Sequence, residues 1–138
     1  MLIHSAAGGV GIAAIQVAKM LKANIYVTVG SPEKKEYLID TFGIPNENIF
    51  DSRSTAFAAD VMRETGGKGV DVALNSLSGE LLHQTWSCIA KWGTMVEIGK
   101  RDLLGSAKLD MKLFADNRNY CCIDMDQMAR EKPKVIDR

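Results

Sequence analysis

Short apolar runs alternate with longer amphipathic stretches along almost the whole chain. Six of the apolar runs predict strands, at residues 1–6, 24–30, 47–51, 69–76, 94–99 and 119–125. The stretches between them predict helices over 11–22, from Pro32 to about Phe42, from a cap at Ser54 or Thr55 to about Glu64, and over 79–92. Strands that alternate with helices form parallel sheets with right-handed crossovers. We therefore expect an α/β fold, a Rossmann-type doubly wound parallel sheet of about six strands flanked by helices.

Boundary signals support two of these helices. Ser31 followed by Pro32 is typical of an N-cap and a proline in the first helical turn. Gly43 and Gly93 are suitable terminators for the helices that precede them. Trp86 and Trp92 are expected to pack from the helix over 79–92. The charged residues 126–138 are compatible with a helix or with a frayed tail.

Composition narrows the class of protein. The 138 residues, with 17 basic and 17 acidic side chains, have about the length of one domain and no basic surplus for nucleic acid or anionic membranes. We find no membrane span and no secretory signal, and we expect a cytoplasmic protein. Three irregularly spaced cysteines argue against a disulfide framework or a zinc site and are expected to be buried. No metal site is predicted.

A small-residue motif joins the first strand to the first helix. Ala6-x-Gly8-x-x-Gly11 matches the dinucleotide fingerprint with alanine in its first position. The first small residue allows a tight turn, Gly8 lets the backbone approach a pyrophosphate, and Gly11 lets the helix pack closely on the strand. Gly9 and Val10 complete a helix start whose free N–H groups would face the phosphates. We predict a dinucleotide site here.

The end of the second strand distinguishes NAD from NADP. An NAD site usually has Asp or Glu there, whereas this chain has Gly30 and Ser31. Glu33 is expected to lie in the following helix, where Lys34 and Lys35 come next. The absent carboxylate and the nearby lysines favour the 2′-phosphate of NADP(H). We assign Lys34 to the phosphate and expect Lys35 to be solvated.

Further candidates follow from the rule that ligands bind at the carboxyl ends of parallel strands. The ends of the third, fourth and fifth strands offer Arg53 beside the adenine, and Asn75, Ser76, Gly99 and Lys100 towards the ribose and nicotinamide. The alternatives stay open: Arg53 could be a surface loop residue, Asn75 a turn former and Lys100 a surface charge. His4 is expected to be a satisfied core histidine and His83 a surface residue.

Four segments carry a resemblance to a known family: LIHSAAGGVGIAAIQVAK, VGSPEKKEYL, GGKGVDVALNSLSGE and GTMVEIGKRDL. Together they resemble the enoyl reductase domain of fatty acid and polyketide synthases, in the zinc-free branch of the medium-chain dehydrogenase/reductase superfamily. The resemblance covers nearly the whole chain. EIGKRDLLG followed by LFADNRNYCCIDM is most similar to fungal highly reducing polyketide synthases.

The resemblance implies a reaction and its partners. NADPH would deliver hydride to the β-carbon of an enoyl thioester on an acyl carrier protein, and the α-carbon would then be protonated. Lys100 is implied as proton donor or oxyanion stabiliser, and Asp124, preferred to Asp126, as the other candidate. Residues 1–138 would be the NADP-binding part of a larger enoyl reductase, without its GroES-like substrate domain. The resemblance also implies other synthase domains on the same polypeptide, and it is compatible with a homodimer of the full synthase.

Two other functions remain open at this point. A stand-alone quinone or alkenal reductase using NADPH would share the glycine motif, although such enzymes seldom combine NSLSGE with EIGKRD. A non-catalytic nucleotide-binding module, such as a redox-sensing regulatory domain, would share the fold. Ketosynthase, acyltransferase and carrier domains in the same reading frame would distinguish the synthase from both.

Overall fold

The computed structural model of the chain describes residues 1–136 and contains one six-stranded sheet. Its strands are β1 (Leu2–Ile3), β2 (Tyr26–Val29), β3 (Ile49–Asp51), β4 (Val70–Asn75), β5 (Ile89–Glu97) and β6 (Asn119–Cys122). Every neighbouring pair is parallel, in the order β3-β2-β1-β4-β5-β6. This is the strand order of a Rossmann sheet, and it confirms the predicted fold class.

Helices connect the strands and follow the last one. They are α1 (Gly9–Met20), α2 (Pro32–Phe42), α3 (Phe57–Glu64), α4 (Glu80–Ser87), α5 (Arg101–Leu104), α6 (Met125–Glu131) and α7 (Pro133–Ile136), with 3₁₀ turns at Asn46–Asn48 and Met111–Asp116. None of the helices in the described part of the chain has the length and apolarity that a membrane crossing needs.

Helix α2 has the boundaries that its sequence predicts. The Ser31 hydroxyl accepts a hydrogen bond from the Lys34 backbone N–H, with Pro32 at the start of the helix. Gly43 ends the helix in the left-handed conformation, at φ 64°. Because an N-cap and a glycine terminator satisfy backbone groups that a helix leaves free, both ends of α2 are fixed locally.

The two faces of the sheet bury two separate apolar clusters. Leu2 and Ile3 are adjacent and fully buried, and they point to opposite faces, as successive residues of a strand must. Leu2 packs with side chains of α3 and α4, including Phe57 and Trp86. Ile3 packs with side chains of α1 and α2, including Ile15. Helices on both faces thus hold the sheet in the doubly wound arrangement.

The chain between 88 and 93 differs from the prediction. Helix α4 ends at Ser87, and the residues that follow begin β5, because the Val70 N–H bonds to the Cys88 carbonyl at 2.8 Å and draws this segment into the sheet. Strand pairing then shifts register between Val70 and Val72. Trp92 lies in this irregular part of β5 with φ 68° and is 74% exposed, so its predicted helix packing is wrong, whereas Trp86 is buried.

Two smaller expectations are also corrected. Helix α3 begins at Phe57 with Ala56 in the N-cap position, so neither Ser54 nor Thr55 is its cap; the Ser54 hydroxyl instead accepts from the Ala56 N–H in a turn that precedes the helix. Cysteines 121 and 122 are exposed, and of the three only Cys88 is buried. Within the described residues, β6 has a neighbouring strand on one side only, which leaves its side chains less covered than those of central strands.

The first helix approaches the first strand turn too closely for any side chain at Gly11. A Cβ on Gly11 would lie 2.5 Å from Ala6 Cα and 2.6 Å from the Ala6 carbonyl oxygen. Both are backbone atoms that cannot move without displacing β1. The fingerprint role of Gly11 as the residue of close helix–strand packing is therefore met by the geometry.

We predict that Gly11→Ala lowers the free energy of unfolding by about 1–3 kcal/mol, because an added methyl group must displace backbone. Gly9→Ala is the matched control in the same turn, since a Cβ there would meet nothing within 4 Å. The control should unfold within about 1 kcal/mol of the wild type. Urea denaturation measures both variants, and equal stability of the two would contradict the close approach.

Candidate functional site

Most of the predicted site residues directly follow the carboxyl ends of strands, whereas Asn75 is the last residue of β4 and Lys34 lies in the first turn of α2. The parallel topology therefore brings them to one edge of the sheet, which we call the carboxyl edge. It is formed by residues 4–11 after β1, 30–31 after β2, 52–53 after β3, 76–78 after β4, 98–100 after β5 and 123–124 after β6.

The turn after β1 leaves the amino end of α1 open. The buried Ala6 donates its N–H to the Thr28 carbonyl at 3.0 Å, which ties the turn to β2. The first hydrogen bond within the helix runs from the Ile12 N–H to the Gly8 carbonyl, and no side chain among the described residues caps this end of α1. The N–H groups of Gly9 and Val10 belong to the first turn, where the helix dipole favours an anion. This geometry suits a phosphate group.

A cavity of about 320 Å³ lies between the ends of β2 and β3. Its lining includes Ser31, Lys35, Asp51 and Arg53. The Arg53 guanidinium passes close to Gly30, since its Nε lies 3.6 Å from the place where a Cβ on Gly30 would be. The Asp51 carboxylate accepts from the Arg53 backbone N–H at 2.9 Å. The cavity thus brings two cationic side chains and one carboxylate together.

The structure separates the two lysines of α2. Lys34 is exposed and does not line the cavity, and its backbone N–H is the one that bonds to Ser31. Lys35, which was expected to be solvated, is half-buried and lines the cavity. The expectation for Lys35 is therefore corrected, because the first turn of α2 directs this residue towards the end of β3.

Asn75 is not available to a ligand in the way that the sequence suggested. It is fully buried, and its side-chain amide donates to the Leu77 carbonyl at 2.8 Å and to Glu97 Oε2 at 2.5 Å. Its Oδ1 accepts from the Leu77 N–H at 3.3 Å. Asn75 therefore shapes the loop after β4, whereas its neighbour Ser76 is exposed and its hydroxyl lies 3.4 Å from that of Ser5.

Sequence reasoning missed Glu97, the last residue of β5. This carboxylate is 2% exposed and accepts hydrogen bonds from Asn75, from the Gly99 N–H at 2.6 Å and from the Tyr120 hydroxyl at 3.4 Å. Burial raises its pKa, and these hydrogen bonds act in the opposite direction. The available signal was its position, two residues after the buried Met95 on the same side of β5, since a charged residue at an inward strand position is unusual.

The two predicted catalytic residues form an ion pair. Lys100 Nζ lies 2.8 Å from Asp124 Oδ1 and 2.8 Å from Asp126 Oδ2. The hydrogen bonds to Asp124 and then to Asp126 raise the pKa of Lys100. Lys100 lowers the pKa of Asp124, as does the Gln127 backbone N–H. A carboxyl group with a lowered pKa is ionised at neutral pH and carries no proton to give, so the arrangement favours Lys100 as the proton-bearing group.

His4 lies behind the glycine turn and is 3% exposed, as expected of a satisfied core histidine. Its Nδ1 is 2.8 Å from the Thr28 hydroxyl and its Nε2 is 2.7 Å from the Thr85 hydroxyl. The Thr85 hydroxyl donates its one proton to the Leu81 carbonyl at 2.8 Å. Nε2 must therefore carry the imidazole proton, and Nδ1 accepts from Thr28. Burial lowers the pKa of His4 to about 3.

A larger cavity, of about 790 Å³, lies at the opposite edge of the sheet, where strands begin. Its lining includes Tyr26, Val70 and Ile89, which are the first residues of β2, β4 and β5. We call this the amino edge. The predicted site residues do not line this cavity.

Comparison with known proteins places this geometry among oxidoreductase domains. Residues 9–132 match the family model described as zinc-binding dehydrogenase. The highly reducing polyketide synthase sphB of Aspergillus fumigatus is 64% identical over 91% of this chain, and the squalestatin hexaketide synthase clz14 of Cochliobolus lunatus is 54% identical over 99%. The chain spans about 5% of the length of either synthase.

A solved structure resembles the chain over its whole length. The nucleotide-binding subdomain of the enoylreductase domain of PpsC from Mycobacterium tuberculosis superposes with a TM-score of 0.90 at 40% identity, over 99% of this chain and 74% of that one. The matched family is named for zinc, but within residues 1–136 no group of three or more His, Cys, Asp or Glu side chains could hold a metal ion. The described residues therefore do not fit a zinc site.

We predict that His4 makes the fold less stable in acid. Its pKa is lowered to about 3 in the folded chain, from an ordinary 6.5. As the pH falls, the unfolded chain therefore binds the extra proton before the folded chain does. The stability that is fully present above pH 6.5 is lost as the pH falls below that unfolded-state pKa. Between pH 7 and pH 5 the loss should be about 2 kcal/mol.

Urea unfolding across this pH range measures the effect, and His4→Gln should remove that part of the pH dependence. Proton NMR of the imidazole, with His83→Gln to assign the signals, should show His4 neutral throughout. A His4 ring that becomes protonated near pH 6 would contradict the buried neutral tautomer.

Proposed function

The chain belongs to the zinc-binding dehydrogenase family, and we propose that it is the cofactor-binding part of an NADPH-dependent enoyl reductase within a multidomain polyketide synthase. The observation that carries the proposal is the open amino end of α1 at the carboxyl edge, in a chain 40% identical to the nucleotide-binding subdomain of an enoylreductase domain. When bound, the reduced nicotinamide would supply the hydride that an enoyl thioester accepts at its β-carbon.

The first turn of α1 would hold the pyrophosphate. The N–H groups of Gly9, Val10 and Gly11 precede the first intrahelical bond, and within residues 1–136 no side chain accepts a hydrogen bond from them. The place of a Cβ on Gly9 is empty to 4 Å, and that on Gly8 meets only the Ser5 carbonyl oxygen, at 3.3 Å. The backbone there is thus open to close approach by phosphate oxygens.

The cavity between β2 and β3 would hold the 2′-phosphate of NADP(H). Ser31, Lys35 and Arg53 line it, and Lys34 stands on the same helical turn. No carboxylate ends β2, where an NAD site usually carries one for the ribose hydroxyls. Charge-assisted hydrogen bonds from lysine and arginine would give the phosphate its favourable contacts.

Lys100 would act at the nicotinamide end of the edge. Hydride addition to the β-carbon leaves negative charge on the thioester oxygen and the α-carbon, and the ammonium of Lys100 can stabilise that charge or give it a proton from Nζ. Asp124 and Asp126 hold Nζ in place at 2.8 Å each. In this assignment Asp124 orients Lys100 and keeps it charged.

The rest of the assembly belongs to the proposal as well. The fungal relatives are synthases about twenty times as long as this chain, consistent with further domains on the same polypeptide. We propose that a GroES-like substrate domain supplies the wall of the pocket for an acyl chain carried on an acyl carrier protein. The full synthase would be cytoplasmic, and its architecture is compatible with a homodimer. The chain alone would then bind NADPH but would not reduce a crotonyl thioester. Oxidation of NADPH in a mixture of the chain, NADPH and a crotonyl thioester would disprove the need for a substrate domain.

We predict that the wild-type chain binds NADPH more tightly than NADH. Lys35→Ala, Arg53→Ala and Lys34→Ala each remove a cation proposed for the 2′-phosphate, and each should weaken NADPH binding by about tenfold or more while leaving NADH binding unchanged. Lys68→Ala is a control cation at the amino edge and should change neither affinity.

Isothermal titration calorimetry of both cofactors against the four variants makes this comparison. Equal affinity of the wild type for NADPH and NADH would refute the phosphate site. An NADPH loss in Lys34→Ala without one in Lys35→Ala would place the phosphate outside the cavity between β2 and β3.

A further inference from the structure

Glu97 is a buried carboxylate with no part in the chemistry proposed so far. It ends β5 directly before the loop that carries Gly99 and Lys100, and it is 2% exposed. Burying a carboxylate is costly, and an apolar side chain of similar size would usually be the more stable choice. Its contacts therefore need a reason beyond core packing.

Each oxygen of Glu97 holds a different part of the carboxyl edge. Oε1 accepts from the Gly99 N–H at 2.6 Å, in the loop after β5. Oε2 accepts from the Asn75 amide at 2.5 Å, at the end of β4, and from the Tyr120 hydroxyl at 3.4 Å, on β6. One side chain at the end of β5 thus joins the end of β4 to the interior of β6.

The contacts extend into the loops themselves. The Asn75 amide also donates to the Leu77 carbonyl and accepts from the Leu77 N–H. The Glu97 carboxylate is therefore connected to the loop after β4 through Asn75. The loop after β5 is wrapped around the same group, since a Cβ on Gly99 would lie 2.8 Å from Glu97 Oε1. Both loops take their position from one buried charge.

This connection covers only half of the carboxyl edge. The loops after β4 and β5 would face the nicotinamide and its ribose, whereas the adenosine half would lie over β1, β2 and β3. Ala6 and the cavity beside Ser31 are positioned by other contacts, among them the bond from the Ala6 N–H to Thr28. Loss of Glu97 should therefore affect the two halves of the site differently.

We propose that Glu97 is a positioning residue, whose hydrogen bonds with Asn75, Gly99 and Tyr120 together fix the loops after β4 and β5 for the nicotinamide half of the cofactor. The role rests on the proposed function, because it presupposes a dinucleotide at the carboxyl edge. The role is limited to the nicotinamide half, because the adenosine half of the cofactor should bind equally well when Glu97 is replaced.

Glu97→Gln tests the role with almost no change of shape. A carboxylate accepts with both oxygens, whereas glutamine has one acceptor and one donor group, so either Gly99 or Asn75 must face a donor with its own donor. Two ligands are titrated by calorimetry: NADPH and adenosine 2′,5′-bisphosphate, which has the adenosine half alone. We expect NADPH to bind about tenfold more weakly and the bisphosphate to bind as in the wild type.

Two further variants separate positioning from stability. Thr65→Val removes the hydrogen bond that the Thr65 hydroxyl accepts from the Gly69 N–H at 3.0 Å, at the amino edge, and should lower stability without changing the ratio of the two affinities. Tyr120→Phe removes the longest contact of Glu97 and should weaken NADPH alone by about threefold. Tyr120→Phe decides the question if Glu97→Gln does not fold.

The outcomes distinguish the inference from the proposed function. A folded Glu97→Gln that binds both ligands as the wild type does, or loses both equally, would overturn the positioning role and leave the cofactor site standing. An unchanged affinity ratio in Tyr120→Phe would also count against it. A wild-type chain that binds neither ligand would overturn the proposed function, and the positioning role with it.

Discussion

The close approach of α1 to the turn after β1 is the constraint on which the rest of the edge depends. Gly11 and Ala6 leave no room for a Cβ between helix and strand, so the start of α1 is fixed relative to the sheet. This places the first N–H groups of the helix directly beyond the end of the central strand. Because the other five strands are parallel to β1, their carboxyl ends meet the same space, and a ligand seated on α1 can contact several loops at once.

Two buried polar side chains, beneath the loops of the carboxyl edge, connect neighbouring elements of the fold by hydrogen bonds. His4 joins β1 to Thr28 on β2 and to Thr85 on α4, and Glu97 joins β5 to Asn75 on β4 and to β6. Both groups lie beneath the loops and are 2–3% exposed, so neither is available for general contact with solvent. Lys100 and Asp124 are half-buried and Asp126 is exposed, and these charged residues lie beside the strand ends that the two buried groups hold. The residues that hold the strand ends together are thus different from those proposed to act on a substrate.

The alternation of strands and helices, the glycine motif and the caps of α2 could all be predicted, because each depends on neighbours in sequence. The features that could not be predicted from the sequence are those that depend on long-range packing. The segment after Ser87 reads as helix locally but joins β5 through the carbonyl of Cys88. Asn75 has the composition of a ligand-binding strand end, yet Glu97 on the next strand occupies its amide. The direction of Lys35 depends on where β3 ends, which no local pattern reports.

We propose that the dinucleotide binds at the carboxyl edge and not in the larger cavity at the amino edge. Titration of NADPH into the ¹⁵N-labelled chain, followed by amide chemical shifts, distinguishes the two most directly. We expect the largest shifts in residues 8–11, with Ser31 and Gly99 following at the same ligand concentration. Shifts confined to the amino-edge residues, such as Thr65, Gly69 and Lys91, with residues 8–11 unmoved, would contradict it.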